Sequence, residues 1–258
     1  MVDELRLEFS GLVASIVIDR PDRRNAFTQD MWNELPGLVA AACSTDSARV
    51  IVVRSSTPGV FSAGADIAEY RDHIGDVDWG IDNQERVSRG TAALRSAALP
   101  VIALVDGPAF GAGAALVASC DVRLASREST FAITPAKLGM VFPFPETAVL
   151  VDLVGAAAAR RLLLTGATFD AADALRIGFV DQVVGADEIE SALSGQVEVL
   201  VANSPTSIRL MKVQIALAEA GQKSDDHVTR ALVREALQGG DYAEGAQAFL
   251  ERRPPRFT

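Results

Sequence analysis

Two runs of β-branched and apolar residues, 50–54 and 101–105, each break off into a stretch of glycine and alanine before a helix-like segment begins. That pattern constrains the fold more than any other feature of the chain. A short apolar run without polar alternation reads as a strand covered on both faces. Parallel strands of that kind need crossover connections, which helices supply. The segments between them have helical spacing: 28–42, with Thr28 as the expected N-cap, and 79–97. Residues 5–9 and 13–19 read as strands split by the turn Ser10-Gly11, and 122–125 and 130–133 as two more, with a short apolar helix over 114–120. The expected class is α/β.

After about Glu146 the character changes to mostly helix, over 146–154, 156–165, 171–177, 187–202, 204–221, 225–238 and 242–252. A soft boundary near Gly195 divides the chain into a core, 1–195, and a helical module, 196–258, expected to serve packing or oligomerisation. A chain of 258 residues has room for one sizeable core with a small appendage. The net charge of −10 argues against nucleic acid, whose phosphates it would repel. The start, Met1-Val2-Asp3-Glu4, carries acids and no apolar signal region. The apolar stretch between Asp106 and Asp121 holds 14 residues, too few to span a bilayer. A cytoplasmic protein with no membrane partner is expected. Cys43 and Cys120 sit in apolar segments without a CxxC partner and are expected as buried thiols. His73 and His227 have no partners at metal-ligand spacing, so no metal is expected.

The two small-residue stretches carry the chemistry. The first, Phe61-Ser62-Ala63-Gly64-Ala65-Asp66-Ile67, lets a ligand approach the backbone. Gly64 can take positive φ there, and Asp66 is placed to cap the helix that follows. Alone, this is equally a tight strand-to-helix turn with no ligand. The second, Asp106-Gly107-Pro108-Ala109-Phe110-Gly111-Ala112-Gly113-Ala114, crowds glycine and alanine at a helix entry. Leu116 stands where a dinucleotide GxGxxG fingerprint needs glycine, and neither GxxxxGK[ST] nor GxSxG occurs in either stretch. Two such turns at the ends of buried strands can converge on one crevice. A pair of N–H donors meeting there would stabilise charge on a carbonyl oxygen by about 3–4 kcal/mol per donor in a dry site.

An ordered set of motifs spans nearly the whole chain. It runs Ile18-Asp19-Arg20-Pro21 with Asn25-Ala26-Phe27, then the two turns, Cys120-Asp121, Lys137-Leu138-Gly139 and the tail 244–253. In that order the chain resembles the crotonase (enoyl-CoA hydratase/isomerase) superfamily. The resemblance implies a ββα superhelix with a helical C-terminal trimerisation module, assembled as a homotrimer or a dimer of trimers. It also implies an acyl-CoA thioester as the partner, with coenzyme A arriving as part of the substrate and no permanently bound cofactor. By the same match the N–H groups of Ala65 and Ala112 are the oxyanion donors. The backbone at Ala63, Ala65, Asp66 and Ile67 then meets coenzyme A. Arg23 and Arg24 fall at positions of cofactor contact, and Arg252 at a basic position that reaches a neighbouring subunit's coenzyme A. Each of these arginines is equally readable as a solvated surface charge. Asn25 and Asp121 are expected to hold structure.

Hydratases of this superfamily use two glutamates as acid and base, and the matching positions here are Ala115 and Pro135. Neither moves a proton. Glu146, in Phe142-Pro143-Phe144-Pro145-Glu146-Thr147, is the substitute the sequence offers. It reads either as a proton carrier with a raised pKa between two phenylalanines, or as an acid that complements a helix N-terminus. Asp66, Glu69 and Glu85 are expected as capping or solvated acids. Phe110, Phe142 and Phe144 line an acyl pocket or belong to the core. The leading expectation is an acyl-CoA enzyme of the hydratase/isomerase type with non-standard catalytic residues. The alternatives are an acyl-CoA-binding protein without catalysis, or another reaction on the same oxyanion site, thioester hydrolysis or decarboxylation.

Overall fold

The apolar runs form strands at the centre of the molecule, as their composition predicts. A computed structural model describes residues 4–257. The chain begins with β1 (Leu5–Ser10), β2 (Val13–Ile18), a 3-10 turn (Pro21–Arg23), α1 (Gln29–Cys43), β3 (Val50–Ser55), α2 (Ile67–Arg71) and α3 (Val77–Ser96). It continues with β4 (Val101–Val105), β5 (Ala109–Phe110), α4 (Ala112–Ala118), β6 (Val122–Ser126), β7 (Thr130–Ala132) and a second 3-10 turn (Pro135–Leu138). Then follow α5 (Phe144–Thr165), β8 (Phe169–Asp170), α6 (Ala171–Arg176), β9 (Gln182–Val184) and α7 (Ile189–Val201). Helices α8 (Pro205–Glu219), α9 (His227–Gln238) and α10 (Gly240–Glu251) close the chain.

The main sheet has the order β1-β2-β3-β4-β6-β9. The hairpin β1–β2 is antiparallel, and every later neighbour pair is parallel. A smaller sheet, β5-β7-β8, flanks it. Successive side chains of a strand point to opposite faces, so both faces of β3 and β4 must be apolar. Ile51, Val53, Val101, Ala103 and Val105 join one core with Trp32 and Leu35 of α1 and Leu94 of α3. Val50, Val52, Ile102 and Leu104 join a second core with Leu124 and with Ile189 and Leu193 of α7. Each such valine, leucine or isoleucine, fully buried, contributes roughly 1.5–3 kcal/mol, enough to make this register the strongly specified one.

The differences from expectation have local causes. Helix α4 starts at Ala112, two residues earlier than the apolar run suggests, because Gly111 makes the entry turn at φ 51° without any side-chain cap. The expected helices 146–154 and 156–165 form one element broken at Gly155, which adopts φ 74°. Strands β5, β8 and β9 are two or three residues long, too short to leave a period in the sequence. Gly195, the expected boundary, lies inside α7, which covers the second face of the sheet.

Beyond α7 the chain buries little: Leu210 in α8 and Ala248 in α10 are the buried residues of the last three helices. Polar ties hold this region, including the Lys212 ammonium on Asp121 and on the Leu99 carbonyl. Asp121 also accepts from the Val101 N–H at 2.7 Å, the structural role expected of it. Phe249 and Leu250 are 83% and 81% exposed. No helix among the described residues is long and apolar enough to cross a membrane.

Candidate active site

The first turn is held by the segment that follows β2. The Phe27 N–H donates to the Gly64 carbonyl (2.7 Å), the Asp66 N–H to the Phe27 carbonyl (2.8 Å) and the Ala63 N–H to the Arg24 carbonyl (2.9 Å). Asn25, fully buried at φ 55°, donates to the Phe61 carbonyl and the Ser55 hydroxyl and accepts from the Arg20 N–H. A left-handed backbone is tolerated best by glycine and asparagine, which explains this residue in this bend. The Asp66 carboxylate caps α2 through the Ala68 N–H (2.9 Å) and pairs with the Arg20 guanidinium at 2.6 Å. Burial by itself would raise the Asp66 pKa, but the Arg20 pair and the Ala68 N–H outweigh it and hold the group below the ordinary aspartate value.

The second turn locks onto the first. The Phe110 N–H donates to the Ser62 carbonyl (3.0 Å), and the Ser62 N–H to the Pro108 carbonyl (2.9 Å). Contact is close enough to exclude side chains. A Cβ on Gly64, itself at φ 98°, would lie 2.6 Å from the Phe110 oxygen and 3.4 Å from the Ala112 nitrogen. Turns from distant parts of the chain thus meet, as their composition predicts.

Where they meet, a cavity of about 170 Å³ opens. Ala63, Gly64, Ala65, Gly111 and Ala112 form its backbone side. Among the described residues neither the Ala65 N–H nor the Ala112 N–H is donated to a backbone or side-chain acceptor, while the Gly64, Asp66 and Gly111 N–H groups beside them are paired. The Ala112 N–H is free because it opens α4 without a side-chain cap, the Ala65 N–H because its turn gives it no acceptor, and both are left available to a ligand. Val87, Leu138, Met140, Val141 and Phe142 supply an apolar wall, and no carboxylate, imidazole, amine or guanidine side chain lines the cavity among the described residues.

The family model described as enoyl-CoA hydratase/isomerase matches residues 8–258. The chain belongs to this family. It is 31% identical to the crotonyl-CoA hydratase of Syntrophomonas wolfei over 264 positions, covering 99% of this chain and 98% of the relative. It is 30% identical to the short-chain-enoyl-CoA hydratase of Clostridium acetobutylicum, covering 96% and 94% of the two chains. Among solved structures, an enoyl-CoA hydratase/isomerase family protein from Hyphomonas neptunium superimposes with a TM-score of 0.95 at 32% identity, covering 99% of this chain and 97% of that one. The chain is therefore a family acyl-CoA enzyme with the crotonase fold.

The other expected residues fall in three places. Arg23, Arg24 and Arg252 are exposed near chain bends, and Arg24 and Arg252 adopt φ 50° and 55°. Ile67 lines the cavity, and the carbonyl of Asp66 is taken by the Glu69 N–H. Glu146 lies elsewhere. It is 3% exposed in the first turn of α5, and its carboxylate accepts from the Ser88 hydroxyl (2.9 Å) and the Thr91 hydroxyl (2.7 Å). It borders a separate small space with Ala115, Ile133 and Phe142, and Phe142 alone of the expected aromatics also lines the main cavity. Phe144 is 82% exposed, and Phe110 is half-buried in β5. Pro135 lines the cavity, whereas Ala115 is buried behind it.

Glu69 caps α1 through the Gln29 N–H (3.0 Å), while Glu85 is exposed. His73 stacks on Trp79 with ring centroids 4.5 Å apart, and His227 begins α9. Cys43 and Cys120 are unpaired, and burial pushes the Cys120 thiol up to about 12, which keeps it an inert thiol at neutral pH.

Sequence reasoning missed two groups. Arg20 joins Glu4, the Ala26 carbonyl and Asp66, a network invisible without the fold. Tyr70 and Asn83 line the cavity from different helices, and no spacing in the sequence pairs them.

Proposed function

We propose that the cavity binds an acyl-CoA thioester with its carbonyl oxygen between the N–H groups of Ala65 and Ala112, and that the reaction passes through an enolate or related oxyanion. One observation carries this reading: two unpaired main-chain donors from separate turns border the same apolar cleft. Donors fixed before the reaction stabilise the developing charge by about 3–4 kcal/mol each, and an apolar wall strengthens that interaction. The backbone at Ala63, Asp66 and Ile67 flanks the adenine side of coenzyme A. Exposed Arg23 and Arg24, with Arg252 of a neighbouring subunit, face its phosphates. Water addition to an enoyl-CoA, or a double-bond shift, is the chemistry the named relatives support. Glu146 is the proton carrier in this reading, and Phe142, which lines both its small space and the main cavity, lies between the two lining sets.

The assembly we propose is a homotrimer or a dimer of trimers in the cytoplasm. Large apolar residues left exposed on the last helices, Met211, Ile215, Phe249 and Leu250, are consistent with it, since a contact between subunits would cover them. Sedimentation is expected to give three or six copies, and a monomer would overturn the assembly.

A second reading is an acyl-CoA-binding protein without catalysis. It is favoured by the lack of any carboxylate among the described residues that line the cavity. A panel of enoyl-CoA esters decides between them, with binding by calorimetry and products by mass spectrometry and absorbance. Hydration, isomerisation, decarboxylation or thioester cleavage each leaves a distinct product. Tight binding with no product selects the second reading. Failure of every ester to bind rejects both.

A further inference from the structure

Tyr70, on α2, and Asn83, on α3, come together on the wall of the cavity. The Asn83 amide donates to the Tyr70 hydroxyl oxygen at 2.6 Å. The Tyr70 ring is fixed edge-on to Trp79, with centroids 4.9 Å apart, so the hydroxyl is held rather than free to swing. With one lone pair occupied by Asn83, the phenolic proton has no acceptor among the described residues. If the Asn83 amide were turned over, its two N–H groups would be left facing outward instead, so in either orientation the pair keeps a hydrogen to donate. Burial pushes the Tyr70 phenol up, so it stays protonated at neutral pH and offers a donor, not a base. Elsewhere on the wall the polar side chains are Gln84, which donates to the Val141 carbonyl, and Thr134.

The Tyr70 hydroxyl is half-buried at the cavity wall, and a site with a fixed donor facing its ligand favours a ligand group that accepts from it. The ligand group must be an acceptor. It must also be uncharged, because no cationic side chain lines the cavity among the described residues and an unpaired carboxylate there would be strongly disfavoured. A cavity near 170 Å³ takes a group of about six carbons, by comparison with cavities of about 150 Å³ that hold benzene. Resting on the acyl-CoA reading above, we infer that Tyr70 and Asn83 form a specificity site that recognises an uncharged oxygen, keto or hydroxyl, on a short acyl chain.

The test compares hexanoyl-CoA with hexanoyl-CoA esters carrying a keto group at carbon 4 or 5 or a hydroxyl group at carbons 4 to 6, and with adipoyl-CoA as the anionic control. Affinities are measured by calorimetry on the full chain and on Tyr70→Phe, which keeps the ring against Trp79. At least one oxygenated ester is expected to bind about fivefold or more tightly than hexanoyl-CoA, in line with one neutral hydrogen bond. Adipoyl-CoA is expected to bind more weakly than either. Tyr70→Phe is expected to erase the preference between the oxygenated esters and hexanoyl-CoA. Equal affinities for all neutral esters, tightest binding of adipoyl-CoA, or a preference unchanged in Tyr70→Phe would each overturn the specificity site while leaving the acyl-CoA reading intact. If no ester binds at all, the acyl-CoA reading falls and takes this one with it.

Discussion

The two sides of the cavity are built by opposite means. The backbone side is over-determined: main-chain hydrogen bonds with Phe27, with Ser62 and to the Arg24 carbonyl fix the turns, and glycine contacts leave no room for alternatives. The opposite wall is apolar, with Tyr70 and Asn83 its polar exception alongside Gln84 and Thr134. On the proposed function, charge stabilisation and proton transfer are separable parts of one site. The first needs main-chain geometry, which any small residue can supply. The second needs a particular side chain, and among the described residues no carboxylate lines the cavity.

The sharpest way to break the comparison is Gly64→Ala. The added methyl meets the Phe110 oxygen at 2.6 Å and the backbone stands at φ 98°, so the turns must separate. Turnover of any ester found active is expected to fall at least about 100-fold, the usual cost of losing an oxyanion donor, with circular dichroism confirming a folded chain.

Asp66→Asn asks how far the first turn depends on its ion pair. It leaves Arg20 partly unpaired in a largely buried setting and is expected to cost about 2 kcal/mol in chemical denaturation at neutral pH. The sign of its pH dependence follows from the lowered Asp66 pKa. The pair's contribution is full above the unfolded value, about 3.9, and is lost as pH falls through the folded one. The stability gap between wild type and variant should therefore close below about pH 4.

Glu146→Gln sharpens the other side. As proton carrier, Glu146 predicts at least a tenfold fall in turnover, about 1.4 kcal/mol, with coenzyme A affinity intact. Unchanged kinetics would leave it as an anchor for Ser88 and Thr91. The smallest effect is expected from Arg252→Ala, a two- to fivefold rise in KM for coenzyme A esters that fades at high salt, as for an exposed charge contact of about 0.5–1 kcal/mol.

Legibility in the sequence followed the physics of each feature. Strands β3 and β4 were readable because burial on both faces leaves no polar position to confuse the pattern. The turns were readable because close backbone approach demands glycine and alanine locally. Glu146 was readable as an acid in a first helical turn, but its burial and its partners Ser88 and Thr91, over fifty residues away, leave no mark near it. Strand β9 was not readable at all, since three residues carry no period and its place at the sheet edge is set by β6.

By itself the sequence determined the strand–turn–helix units and the small residues at their joints, because those depend on neighbours along the chain. Only the tertiary structure decided which donors stay unpaired and which side chains share the cavity with them. Those depend on where distant segments are brought together, as Arg20 meets Asp66 and Asn83 meets Tyr70. A hydrogen bond acts over about 3 Å, and nothing in the linear order of residues encodes a distance that short between elements so far apart.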